Sequence, residues 1–273
     1  MSYKTILLGL VAGDDRNEAR IHTAINLAAS QGAHVTAIYM IPPFNIPVYA
    51  AVPIPSDIAD RYYADEESTA KPVIAAFEAA IKAQGDVTGE VRTSRTLPLD
   101  ALQDNAAFAD LIVLGQPHEQ GYDPASDSLV GDISLSAGLP VLAVPRVGDY
   151  DVLGKNVLVA WTRRRESTRA LREALPLLEN ADRVLVLRAN APDDGREAEI
   201  GAYLARHNVK VDIKDVTIKD ISVADSILNT VSDEGCDLIA MGAYGHSRVR
   251  EYAFGGVTRD ILRHMTVPTL FAH

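Results

Sequence analysis

The sequence is short of several things, and each shortage removes a class of protein. Cys236 is the only cysteine in 273 residues. No intrachain disulfide can form, and this usage suits a reducing cytoplasm. Aromatic residues make up only 6% against a hydrophobic fraction of 47%, so the core must be built from aliphatic side chains. Positive charge is in deficit: 26 Lys and Arg face 37 Asp and Glu, a formal net charge of -11. General nucleic-acid binding runs on phosphate neutralisation, and an acidic chain is a poor vehicle for it. No apolar run approaches the ~20 residues that cross a bilayer. The opening residues run straight into a strand pattern, without the layout of a signal peptide. Several site signatures are also missing: Walker A, Gly-x-Gly-x-x-Gly after a first strand, the Gly-x-Ser-x-Gly elbow, and paired Cys or His at zinc spacing.

What is present is an internal repeat, the first pattern to seek. Lys4–Val11 parallels Lys155–Thr162, Ala109–Gly115 parallels Cys236–Gly242, and Leu139–Val144 parallels Val267–Ala272. The order is the same in both halves. The boundary falls in the polar, glycine-bearing stretch 146–154. This gives a first domain over 1–147 and a second over 153–273.

Within each half, Val/Ile/Leu strands alternate with amphipathic helices. The pattern predicts strands near 4–10, 33–40, 87–95, 111–115 and 140–144, then 156–161, 183–188, 209–216, 238–241 and 268–272. Helices are predicted at 16–30, 57–84, 99–108 and 128–136, then 166–179, 194–206, 222–233 and 258–264. Such alternation implies parallel sheets covered on both faces, with right-handed crossovers. The spacing of matched positions is 151 at the first strand (Lys4, Lys155) and 127 at the fourth (Leu111, Leu238), so the first half is longer by 24 residues. The surplus lies near 42–55, which holds five prolines and cannot form a regular helix or central strand. A surface connection or packing arm is preferred there over a flap closing a cleft.

The stretch 241–258 carries the functional signal. Gly242 and Gly245 flank two residues, and nine more separate Gly245 from Gly255. A buried strand ends at Met241 and a helix begins near Val257. Glycine lets backbone approach a ligand closely, and free N–H groups at a helix start attract anions. Turns at the end of a parallel strand use glycine anyway, so the spacing is what favours a phosphate cradle.

These residues resemble the universal stress protein family, in its tandem form. Its loop reads Gly, two residues, Gly, nine residues, then Gly and Ser or Thr. The resemblance implies an α/β fold of two tandem doubly wound, five-stranded parallel sheets ordered 3-2-1-4-5, like the adenine nucleotide α-hydrolases. It also implies adenine nucleotide binding in some members, and two halves packed through their last strands to imitate the family's dimer. The chain departs from the pattern in four places. Gly256 stands where the hydroxyl residue belongs, with Thr258 two residues on. Thr162, Arg163 and Arg164 replace the usual Asp turn after the first strand. Val11, Ala12 and Gly13 stand at the matching place in the first half, and its first Asp arrives late, at Asp14. The first-half loop has Gln116, Pro117 and His118 after Gly115, and Asp127 with Ser128 where Gly255 and Gly256 stand. Pro117 offers no N–H, and Asp127 would repel a phosphate.

The resulting expectation is asymmetric: the second half binds a nucleotide and the first does not. The candidate site is Thr162, Met241, Gly242, Gly245, His246, Arg248, Gly255, Gly256, Val257 and Thr258, holding ATP or a similar adenine nucleotide with Mg²⁺. Thr162 can hydrogen-bond a ribose or base, or cap the next helix. Arg248 suits a phosphate, or pairs with Glu251. Arg163, Arg164 and Arg165 either add positive potential at the cleft mouth or stay in water. The function so read is a cytoplasmic stress-response protein with a regulatory nucleotide and, if it assembles further, a homodimer. Nucleic acid and membrane are not expected partners. The competing reading is an interaction protein that keeps the fold without a nucleotide. A slow hydrolase using Asp260 and Glu251 ranks last.

Overall fold

A computed structural model describes residues 2–44, 56–117, 129–192, 197–245 and 256–273. The first half runs β1 (Thr5–Val11), α1 (Asn17–Gln31), β2 (His34–Met40), α2 (Ser56–Gln84), β3 (Thr88–Ser94), α3 (Pro98–Ala106), β4 (Leu111–Gly115), α4 (Leu129–Ser136) and β5 (Val141–Val144). The second runs β6 (Asn156–Trp161), α5 (Arg165–Leu178), β7 (Arg183–Ala189), α6 (Glu197–Arg206), β8 (Val211–Val216), α7 (Val223–Glu234), β9 (Leu238–Gly242), α8 (Val257–His264) and β10 (Thr269–Ala272). The prolines at 47, 53 and 55 lie outside the described residues. The 29-residue helix α2 follows them.

The strands form one sheet of ten, ordered β3-β2-β1-β4-β5-β10-β9-β6-β7-β8. The two expected five-stranded sheets are present, joined edge to edge into one. Each half keeps the order 3-2-1-4-5, but β5 and β10 pair antiparallel, with Leu142 opposite Leu270 and Val141 opposite Phe271. The other neighbouring strands pair parallel. The physical reason lies in the two edges. Every residue of β5 and β10 is buried, and an apolar edge with unpaired N–H and C=O groups is a liability unless it is covered or paired. Sequence periodicity marks the strands but carries no information on which edges meet.

The outer strands differ in kind. β3 carries Glu90 and Arg92, and β8 carries Asp212, Lys214 and Asp215, so the real edges are charged and half-exposed. Two cores cover the faces. Helices α1, α2, α5 and α6 contribute to one, through Ile21, Phe77, Leu171 and Leu204. Helices α3, α4, α7 and α8 contribute to the other, through Leu102, Ile133, Ile227 and Ile261. Each core runs through both halves without a break.

Hydrogen bonds also cross the boundary. The buried Tyr3 hydroxyl donates to the Glu173 carbonyl of α5 at 2.5 Å. Gln31 of α1 donates to the Pro176 carbonyl. Burial, with Glu173 and Asp110 nearby, pushes the Tyr3 phenol well above its ordinary 10.0. A phenol held neutral by the fold stabilises it fully below its unfolded value, and that contribution is lost as pH rises beyond 10.0. Tyr3→Phe should therefore cost about 1 kcal/mol at neutral pH. It should also flatten the decline in urea-unfolding stability at alkaline pH; an unchanged alkaline slope would refute this.

Candidate functional site

The site is built where β6 and β9 end, side by side, in the middle of the second half. Ligands of doubly wound sheets bind outside the carboxyl ends of strands. At the end of β6, Thr162 makes a tight turn into α5. Its amide donates to Ser167 Oγ at 3.3 Å, and the two hydroxyls lie 3.1 Å apart. The helix N-cap is Arg164, with extended backbone and no side-chain cap. Thr162 thus closes the turn through Ser167 rather than capping α5 itself.

At the end of β9 the first residues of the glycine stretch are described. A Cβ on Gly242 would lie 2.7 Å from the Glu166 carbonyl carbon and the Ser167 nitrogen. Glycine is needed here because the start of α5 crosses directly over the strand end. Gly242→Ala meets backbone on that side, which cannot swing aside. We expect a loss of about 1–3 kcal/mol by urea unfolding; a neutral result would mean that α5 shifts freely. Gly245 is exposed, and its carbonyl accepts from Arg164 at 2.8 Å. Tyr244 adopts a left-handed φ of 52° and its amide donates to Thr258 Oγ1 at 3.0 Å. That bond ties the strand end to the start of α8.

Gly256 is the N-cap of α8, again with no side-chain cap. The first amides of a helix have no partner within it. Val257 is the first helical residue and is half-buried. Thr258 is 3% exposed, its hydroxyl engaged by Tyr244. Met241 is 4% exposed and its side chain belongs to the core. His246, Arg248 and Gly255 lie outside the described residues, as do Arg250 and Glu251. The structure therefore gathers Thr162, Gly242, Gly245, Gly256, Val257 and Thr258 around one strand edge.

Two residues that the sequence reading passed over also belong there. Glu166, 14% exposed, has a carboxylate oxygen 3.6 Å from where a Gly245 Cβ would sit. Arg259, in the first turn of α8, has a buried Nε without a hydrogen-bond partner. Both are ordinary helix residues in sequence, with no spacing that marks them. Among the described residues no group of three or more His, Cys, Asp or Glu is placed to hold a metal ion, and no helix is long and apolar enough to cross a membrane.

The first-half counterpart is closed. Arg20 Nη2 fills the place where Gly115 would carry a Cβ. Arg20 is 3% exposed, pairs with Asp14 at 2.5 Å, and donates to the Gly9 carbonyl and Asn17. Gln116 turns away to donate to the Leu262 and Arg263 carbonyls, at the end of α8. The late-arriving Asp14 is spent on an ion pair, and Gln116 is spent on the end of α8 in the other half.

This strand order, with a glycine-bearing strand end beside an uncapped helix start, defines a doubly wound α/β protein. Residues 154–273 match the family model of the universal stress protein family, and this half of the chain is a domain of that family. A universal stress protein of Methanocaldococcus jannaschii is 33% identical over 69 residues, 23% of this chain and 43% of that protein, so less than half of that relative is spanned. One from Synechocystis is 25% identical over 212 residues, covering 74% of this chain and 71% of its own length. The crystal structure of a universal stress protein from Archaeoglobus fulgidus has the same fold, with a TM-score of 0.75 at 14% identity, over 98% of this chain and 95% of that one.

Proposed function

We propose that the second half binds an adenine nucleotide such as ATP as a regulatory ligand, its phosphates at the start of α8. The observation that carries this reading is the uncapped N-terminus of α8, beside the strand end at Gly242 and Gly245. Helix-start amides, which have no partner within the helix, and the helix dipole favour an anion there. The buried Nε of Arg259, without a hydrogen-bond partner among the described residues, adds a second donor group. Mg²⁺ would arrive on the nucleotide. The first half does not bind in this reading, because Arg20 occupies the space above Gly115. Residues 1–147 and 153–273 act as two domains of a tandem protein in the cytoplasm, and the β5–β10 pairing stands in for a dimer contact. Homodimerisation of the whole chain is a further assembly on this reading.

Isothermal titration with ATP, ADP and AMP in the presence of Mg²⁺ tests it. ATP is expected to bind at one site per chain. Arg259→Ala should weaken it about tenfold, the effect of losing one charge-assisted hydrogen bond. No heat at millimolar nucleotide would end the proposal. The alternative, an interaction protein without a nucleotide, draws support from the Tyr244 amide and Thr258 hydroxyl, which already satisfy each other.

A further inference from the structure

A second cavity lies on the other side of the sheet from α8. It has a volume of about 180 Å³ and opens between α5 and α6. Trp161, Leu171, Ile200 and Tyr203 form its apolar walls. These residues pack with the core that carries α1, α2, α5 and α6, whereas Met241, Tyr244 and Val257 of the candidate nucleotide site pack with the opposite core. The separation follows from strand alternation: Trp161 and Arg188 point to one face, Ala160 and Leu187 to the other.

The charged groups set the chemistry. Among the described residues, Arg163, Arg172 and Arg188 line the cavity together with the carboxylate of Glu199. Arg188 is paired with Asp215 and Arg163 has contacts of its own, so Arg172 carries the charge at the opening, in a chain whose net charge is -11. Arg188 is 6% exposed and its guanidinium is fixed by Asp215 at 2.6 and 2.9 Å. It is a preorganised charge, partly balanced by its partner. Arg163 and Arg172 are exposed at the mouth. The space is smaller than the ~300–1,000 Å³ that takes a drug-sized ligand, so the guest is small. Flat apolar walls from Trp161 and Tyr203 take a ring, and the arginine side of the opening takes an anionic group.

We propose that this cavity binds a small amphiphilic carboxylate, with its apolar body between Trp161 and Tyr203 and its carboxylate toward Arg172. The site does not depend on the nucleotide reading. Trp161 is the only tryptophan in the chain, so its fluorescence reports occupancy directly.

The test titrates phenylacetate into the full-length protein, following Trp161 emission and heat together, with and without saturating ATP. Phenylacetate is expected to bind saturably with a change in emission, and equally well with ATP present. The neutral phenylacetamide and the cationic benzylamine should bind at least about tenfold more weakly, the loss of one charge-assisted contact. Arg172→Glu, on the surface, should weaken phenylacetate by a similar factor, and Tyr203→Ala should also weaken it. No saturable binding at millimolar phenylacetate would overturn the proposal, as would equal binding of phenylacetamide or benzylamine. Unchanged affinity in both variants would place the ligand elsewhere and overturn it. Mutually exclusive binding with ATP would merge the cavity with the nucleotide cleft and overturn the separate site. A failure of nucleotide binding alone leaves these readouts intact.

Discussion

Phe271→Ala should lower the stability of the whole chain by about 3–5 kcal/mol, the range for removing a buried aromatic side chain. Phe271 is fully buried and lies in β10, at the centre of the ten-stranded sheet. It pairs with Val141 of the first half and with Met241 of its own half. Its side chain belongs to the core that contains Ile133 and Leu142's neighbours Val141 and Ala143 on one side of the seam, and Ile239 and Ile261 on the other. A cavity there removes contacts from both halves at once. Urea unfolding followed by circular dichroism and by Trp161 fluorescence should therefore give coincident transitions at a lower midpoint. Trp161 lies in the second half, so an early fluorescence transition with the remaining structure unmoved would show that the halves unfold independently, against this expectation.

The second large effect lies in the closed first-half cleft. Asp14→Ala should cost about 3 kcal/mol, toward the lower end for leaving a buried charge without its counterion. Arg20, 3% exposed, would lose its carboxylate partner. It would retain the Gly9 carbonyl and Asn17 as acceptors, which limits the loss. Its Nε already lacks a partner, so no spare bond compensates. The double variant Asp14→Leu with Arg20→Met should recover most of the loss, since matched apolar groups commonly replace a buried pair at little cost. Denaturant midpoints of the single and double variants decide it. A single variant as stable as the parent would mean that water reaches Arg20 easily, and that the cleft is less closed than its packing indicates.

Much of this architecture was legible in the residues. Continuous Val, Ile and Leu runs marked central strands because parallel strands are buried on both faces. The repeat between Ala109–Gly115 and Cys236–Gly242 gave equivalent strands, and these occupy equivalent places in the two halves of the sheet. Gly242 was legible as a close approach, though what approaches was not: it is the start of α5, more than 70 residues upstream in the chain.

The rest depended on contacts far apart in sequence. Glu166 and Arg259 joined the candidate site only because α5 and α8 converge on one strand end. Arg20 filled the first-half cleft from α1, and no spacing in the sequence marks it. By itself the sequence determined which segments are strands, which are helices, and which strand end is followed by the glycine-rich stretch, because local periodicity and turn chemistry set these. Only the tertiary structure decided that two five-stranded halves share one sheet, that one cleft is plugged by an ion pair, and that an arginine-rimmed cavity opens behind the other. Those outcomes rest on edge pairing and on side-chain volume between distant elements, neither of which has a period along the chain.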